Sequence, residues 1–238
     1  MIRTIEGTYS GEIDWNMVYR EYYQLDSIES RLKGYLSSPC QCIFCGFGEI
    51  ASRLSTTHSV HFIEYSESVV KAAELEFPNI EKISHLNILD ALEFEHSRVI
   101  FVVCRVSAYW TSPDSLSRFA LGLRQSPRDL VVVDFFDIGK LDSNETLVNP
   151  EYSEFEQVIL EENLNTLPNL PIHLNLARVD GTYQLKNEKY PFSESRAFYN
   201  PSEVRDYFSN HLYEYDVSIE APIVDMDPGF TLVIRRSD

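Results

Sequence analysis

The sequence predicts an α/β protein with a mostly parallel sheet, on three observations. Short apolar runs alternate with helical patterns through the first 137 residues. The first run ends in Gly46-Phe47-Gly48 and the second closes on Glu64. The chain then finishes on two strand-like runs joined without a helix, which points to an antiparallel pair closing the sheet. Strand, glycine turn, helix, strand and acid is an arrangement that holds a nucleotide-like ligand at a sheet edge. The glycines let backbone come close to the ligand, and an acid about 20 residues on can grip ribose hydroxyls.

The elements follow in order. Before the first strand, Trp15, Val18, Tyr19, Tyr22, Tyr23, Ile28, Leu32, Tyr35 and Leu36 fall at helical spacing. They predict two short helices broken near Asp26-Ser27, so that residues 1–38 form a helical lid on a domain spanning 39–238. The cluster Trp15, Tyr19, Tyr22, Tyr23 suits either plain packing or an aromatic enclosure for a cationic ligand, because ring faces attract cations. Gln41–Cys45 reads as the first strand, 49–55 as a helix and Val60–Glu64 as the second strand. Ser66 is placed to cap a helix carrying Val69, Val70, Ala73 and Phe77, which Pro78-Asn79 ends. Ile80–His85 reads as a weaker strand. Val99–Cys104 and Leu130–Asp134 are continuous apolar runs, as buried parallel strands require. Between them Ser112-Pro113 opens a helix with Leu116, Phe119, Ala120 and Leu123 on one face.

Beyond Asp137 the pattern changes. Residues 151–164 look helical, and Asp180-Gly181 is a hairpin signal between Ile172–Val179 and Thr182–Leu185. Asn200-Pro201-Ser202-Glu203 combines a cap, a helix-starting proline and a glutamate three residues after the cap. Leu212–Ile219 and Phe230–Ile234 are the closing strands. Residues 138–200 thus read as an insertion that caps one face of the sheet.

Composition narrows the function. The 238 residues carry a net charge of −17, a surface that repels phosphate backbones and acidic membranes, so neither nucleic acid nor membrane is an expected partner. The apolar runs are too short to cross a bilayer, and no charged-then-apolar leader opens the chain, so a cytoplasmic location is expected. Cys40, Cys42, Cys45 and Cys104 lie in strand-like runs and read as reduced core residues. No metal site is expected, since no His-rich or Cys-rich segment accompanies them. The oligomeric state is left open, a homodimer being one option.

The order of these signals resembles the class I S-adenosylmethionine-dependent methyltransferase family. Cys45-Gly46-Phe47-Gly48-Glu49 is similar to its first motif, and His61-Phe62-Ile63-Glu64-Tyr65-Ser66 to its second strand with the ribose-holding acid. Phe77-Pro78-Asn79-Ile80 followed by Asn87-Ile88-Leu89-Asp90 resembles its adenine-contacting third motif. The stretch from Val103 to Trp110 resembles the fourth, and Leu130 to Asp137 the fifth strand. Ser195 to Phe208 is similar to the late segment of small-molecule members. The resemblance implies a Rossmann-like, seven-stranded, mostly parallel sheet with an antiparallel terminal strand. It implies S-adenosylmethionine as cofactor, bound by Cys45, Gly46, Phe47, Gly48, Glu64, Tyr65, Asn87, Ile88, Cys104 and Arg105. Two positions depart from it. Cys42 stands where the family has an acid and Phe44 where it has a glycine, which alters the methionine end of the site.

The residues support several chemistries. Methyl transfer to a small molecule needs positioning more than a strong catalyst, because the sulfonium is already activated. Tyr109, Asp134 and Tyr199 are candidate proton acceptors, whereas His173 on a hairpin reads as structural. Trp15, Tyr19, Tyr22, Tyr23, Trp110 and Arg196 are candidates to enclose the substrate or sulfonium. The altered first motif keeps open an alternative: cyclisation of S-adenosylmethionine to azetidine-2-carboxylate with release of methylthioadenosine, or aminocarboxypropyl transfer. Gly46-Phe47-Gly48-Glu49-Ile50-Ala51 also fits a dinucleotide fingerprint, which keeps an oxidoreductase in play. A non-catalytic binding protein with a degenerate pocket is the third option.

Overall fold

The computed structural model describes residues 20–21, 23–36, 38–94, 97–103, 113–140, 146–147, 156–165, 172–185, 188–224 and 229–237. Five strands form a parallel core: β1 (Gln41–Cys45), β2 (Ser59–Glu64), β3 (Lys82–His85), β4 (Val99–Val102) and β5 (Leu130–Asp137). Their order is β3-β2-β1-β4-β5. The last two strands in sequence, β10 (Tyr215–Glu220) and β11 (Gly229–Arg236), complete the core, with β11 antiparallel to both β5 and β10. This is the mostly parallel arrangement expected, with its antiparallel closing strand, although the sheet as a whole has eleven strands among the described residues where seven were expected.

Alternation along the strands builds two cores. Cys42, Phe44, Val60, Phe62, Phe101 and Val132 face one side, under α1 (Leu25–Gly34) and α2 (Gly48–Leu54). Ile43, Ile63, Ile100, Val102, Val131 and Val133 face the other, under α5 (Pro113–Gln125) and α6 (Pro201–His211). Side chains of successive strand residues point to opposite faces, so a strand covered on both must be apolar throughout. Two further helices, α3 (Glu67–Glu76) and α4 (Ile88–Phe94), follow β2 and β3. Cys40, Cys42 and Cys45 are free thiols, and burial pushes Cys42 up to about 12, as suits a core residue. Among the described residues no cluster of acids, histidines and cysteines could hold a metal ion, and no helix is long and apolar enough to cross a membrane.

The expected break before α1 is present but falls at Tyr23-Gln24, so Asp26 and Ser27 occupy the first turn of α1. An acid there is favoured by the helix dipole, and Asp26 also receives Arg53. Three other local expectations need correction. Ser66 is the residue before α3, but its hydroxyl pairs with Ser68 instead of capping the helix. Residues 156–165 form a strand, β7 (Glu156–Asn165), where a helix was expected. Asp180-Gly181 is no turn: it lies within the single long strand β8 (His173–Leu185), opposite Ser193 and Phe192 of β9 (Glu188–Tyr199). Pairing along the full length of β8 and β9 outweighs the local turn preference, and the chain reverses between Leu185 and Glu188. At the N-terminus of α6, Asn200 caps as expected, accepting from the amides of Ser202 and Glu203.

The described strands within 138–200 therefore extend the sheet, rather than lying on its face, as a ribbon ordered β9-β8-β7-β6, where β6 is Thr146–Leu147. The attachment point positions the site. β4 pairs with β5 over Val99–Val102 and stops there, while β11 fills the other edge of β5 up to Phe136. Phe198 and Tyr199 of β9 pair with Phe136 and Asp137 beyond the end of β4. The ribbon thus roots above the carboxyl end of β4, over the edge where ligands of parallel sheets bind.

Candidate functional site

The turn after β1 is built around one obligatory glycine. Gly46 has φ +145°, in the region that only glycine adopts without strain. A Cβ there would lie 2.1 Å from the carbonyl oxygen of Val103, just past β4. The Val103 amide in turn donates to the Cys45 carbonyl at 2.8 Å. Any side chain at 46 would push the two central strands apart. Gly48 is needed for a different contact, because a Cβ would come within 2.8 Å of the Phe77 ring. Between them, Phe47 is fully buried with its ring 5.1 Å from that of Tyr23. Cys45 is also buried, its thiol held protonated by desolvation and by the nearby Glu64. Cys45 and Phe47 therefore face the protein, and only their backbone is available to a ligand. Cys42 and Phe44 sit deeper still, fully buried, with Phe44 packed on Phe101.

Beside the turn, Glu64 ends β2 and is 6% exposed. Its Oε1 accepts the Ser66 amide at 2.9 Å, and the Tyr65 amide donates to the same carboxylate. Burial pushes this carboxyl up to about 7, against the downward pull of those amides and of His85. Tyr65 is 48% exposed, with its ring 6.4 Å from that of His85, and His85 Nε2 donates to the Tyr65 carbonyl at 2.6 Å. Asn87 lies in the next loop. Its Oδ1 accepts the Leu89 amide at 2.9 Å, so the side chain caps α4, and Ile88 after it is buried. Gly46, Glu64, Tyr65 and Asn87 thus gather at the carboxyl ends of β1, β2 and β3. His85 belongs with them and was missed by sequence reasoning. The available signal was its place as the last residue of a parallel strand, level with Glu64.

The other half of the edge does different work. Asp134 on β5 accepts the hydroxyl of Thr231 on β11 and, at 3.4 Å, the amide of Ile223. Thr231 Oγ1 also receives the Ile223 amide at 3.0 Å. Asp134 therefore fastens the segment 221–224 onto the sheet through Oδ1. Tyr199 is 1% exposed, edge-on to Phe135. Desolvation pushes its phenol far above the usual range, which favours the protonated form. Arg196 is buried on β9 with its guanidinium 5.1 Å from the centre of the Phe136 ring. His173 is structural, as expected: its amide and ring bind Glu203 at 2.7 and 3.0 Å, tying β8 to α6. Trp15, Tyr19, Tyr22, Cys104, Arg105, Tyr109 and Trp110 lie outside the described residues. Of the aromatic N-terminal cluster, Tyr23 reaches the glycine turn.

No family model and no curated protein matches the chain. Solved structures do. The Streptomyces venezuelae protein DesVI superposes with a TM-score of 0.66 at 11% identity, covering 95% of this chain and 100% of its own. An S-adenosylmethionine-dependent methyltransferase from Clostridium acetobutylicum gives 0.64 at 11% identity, covering 96% and 94%. A calicheamicin-pathway amino pentose methyltransferase from Micromonospora echinaspora, solved with S-adenosylmethionine bound, gives 0.57 at 9% identity, covering 96% and 94%. At such identities the likeness establishes the fold: the chain has the architecture of class I methyltransferases.

Proposed function

We propose that this protein is an S-adenosylmethionine-dependent methyltransferase acting on a small molecule. The observation that carries the reading is the pairing of Gly46 with Glu64. A turn pressed against the end of β4 stands beside a buried carboxylate whose pKa sits near neutrality. The residues fit the cofactor. Glu64 can accept from ribose hydroxyls, and donors of that kind favour its charged form. The exposed face of Tyr65 and the Nδ2 of Asn87 are available to an adenine ring, while Asn87 Oδ1 stays with its helix cap. When bound, the cofactor supplies a methyl group on a sulfonium, already activated for attack.

What remains for the chain is to hold the acceptor in line and keep water out. Asp134, whose Oδ1 holds Thr231, and the buried Tyr199 remain candidate proton acceptors in this reading, secondary to positioning. Enclosure by Trp15, Tyr19, Tyr22 and Trp110, acid–base help from Tyr109 and cofactor contact by Cys104 and Arg105 remain part of the proposal. The ribbon would roof the acceptor side. The net charge of −17 favours a cationic or amine-bearing acceptor, in line with the amino pentose enzyme of the same fold. Nothing among the described residues favours cyclisation. Cys42 and Phe44, the departures that suggested it, are buried in the core beneath the turn.

Mass spectrometry of the products tests the reading. Incubation with S-adenosylmethionine and a panel of small amines is expected to give S-adenosylhomocysteine only when an acceptor is present. Methylthioadenosine released from the cofactor alone would overturn methyl transfer.

A further inference from the structure

The glycine turn is held from behind by an ionic hub. Arg53, in the last turn of α2, reaches three carboxylates from two helices. Its Nη1 lies 2.6 Å from Asp26 and 3.1 Å from Glu29 of α1, and its Nη2 lies 2.7 Å from Glu49. Glu49 follows Gly48 directly, and its second oxygen takes Arg20 Nε at 2.6 Å. One carboxylate at the start of α2 is therefore gripped by two arginines, one from α2 itself and one from the segment before α1. The Tyr23–Phe47 ring contact, with centroids 5.1 Å apart, also joins the segment before α1 to the glycine turn. On the far side the turn is braced by Phe77 against Gly48, and by Ser52 and Asn79, whose side chains pair at 2.8 Å. A single exposed ion pair contributes little, but a planar guanidinium shared among three acids fixes geometry as isolated pairs do not.

We propose that Arg53 is a positioning residue. By joining Asp26 and Glu29 to Glu49 it seats α1 against α2 and fixes the Gly46–Gly48 turn in its ligand-ready form. Its guanidinium is taken up by the three carboxylates, so it acts through Glu49 and through the Tyr23–Phe47 stack. The consequence for affinity rests on the cofactor reading above, whereas the effect on the turn does not. The N-terminal helix is then one wall of the site, and loosening it costs affinity without dismantling the sheet.

The test uses the full chain, with Arg53→Gln as the variant and Arg98→Gln as the control. Arg98 makes an exposed pair with Asp129 (2.6 Å) at the amino edge of the sheet, far from the turn. Hydrogen–deuterium exchange without ligand is read first. In Arg53→Gln residues 46–55 are expected to exchange faster, with peptides from β4 and β5 unchanged and Arg98→Gln like wild type. Calorimetry with S-adenosylhomocysteine is read second, with about tenfold weaker binding expected for Arg53→Gln. Arg53→Lys keeps the charge but not the fork, so it should fall between the two, and it replaces Arg53→Gln if that variant does not fold. Unchanged exchange at 46–55 overturns the proposal, as does faster exchange with undiminished affinity. Should wild type bind no adenosine ligand, the cofactor reading fails, and the exchange result alone decides the role of Arg53.

Discussion

Glu64 and Asp134 stand near the carboxyl ends of β2 and β5 of one sheet, and both are buried, at 6% and 7% exposure. Their donors differ. Glu64 accepts amides from the two residues that follow it, so its bonds are local and shape only its own turn. Asp134 accepts from Thr231 and Ile223, about ninety residues along the chain, and holds a loop in place. A buried acid at a ligand-binding edge is thus not by itself a functional group. Where its hydrogen bonds lead decides between holding a ligand and holding the fold.

The comparison can be broken by substitution. Asp134→Ala should have the largest effect, about 2–4 kcal/mol of stability, because it strands the buried Thr231 hydroxyl and frees the Ile223 segment from β5, leaving the Ile223 amide only Thr231 Oγ1. A Tm fall of roughly 5–15 °C is expected in a thermal melt, with S-adenosylhomocysteine affinity within about threefold of wild type. Loss of binding without loss of stability would put Asp134 in the site and end the contrast. Glu64→Gln should behave in the opposite way, with affinity falling about tenfold to a hundredfold by calorimetry. Stability should rise instead, and only at higher pH. A carboxyl raised from its ordinary 4.5 to about 7 holds its proton more tightly in the folded chain. Its contribution is therefore neutral below about pH 4.5, becomes a growing penalty between about pH 4.5 and 7, and is constant above that. Denaturant melts at pH 5 and pH 8 should show the glutamine variant gaining at pH 8, by up to about 3 kcal/mol. A smaller change, Asn87→Ala, removes the α4 cap and should cost about 1 kcal/mol, with affinity falling a few-fold. Smallest is Tyr199→Phe: kcat should change by less than about threefold, whereas loss of a true proton acceptor would cost about a hundredfold or more.

Local chemistry explains what could be read in advance. β1, β2, β4 and β5 were legible because burial on both faces forces uninterrupted apolar runs, and Gly46 and Glu64 because they stand at the ends of such runs. The ribbon was not legible. Val158, Ile159, Leu160 and Leu164 fit no single period cleanly, and β7 is specified by its register on β8, with an irregularity between Leu160 and Glu162. Asp180-Gly181 is a turn signal that a ladder of cross-strand pairs overrides. The partners of Asp134 were hidden for a related reason: Thr231 and Ile223 come beside β5 only once the last strands have folded back. The Arg53 hub joins helices that are neighbours in space but are separated in sequence by the first strand.

The way β5 shares one edge between two strands has a consequence for how such a protein can change. β4 uses the lower part and β9 begins where it stops, so the seven-strand ladder is complete without the ribbon. The ribbon is a graft on a finished trunk. Replacing it with one of another length or sequence alters the roof without touching Gly46, Glu64 or the strands that hold them. Under the proposed function, acceptor preference can then diversify among descendants of this architecture while the cofactor half is inherited intact.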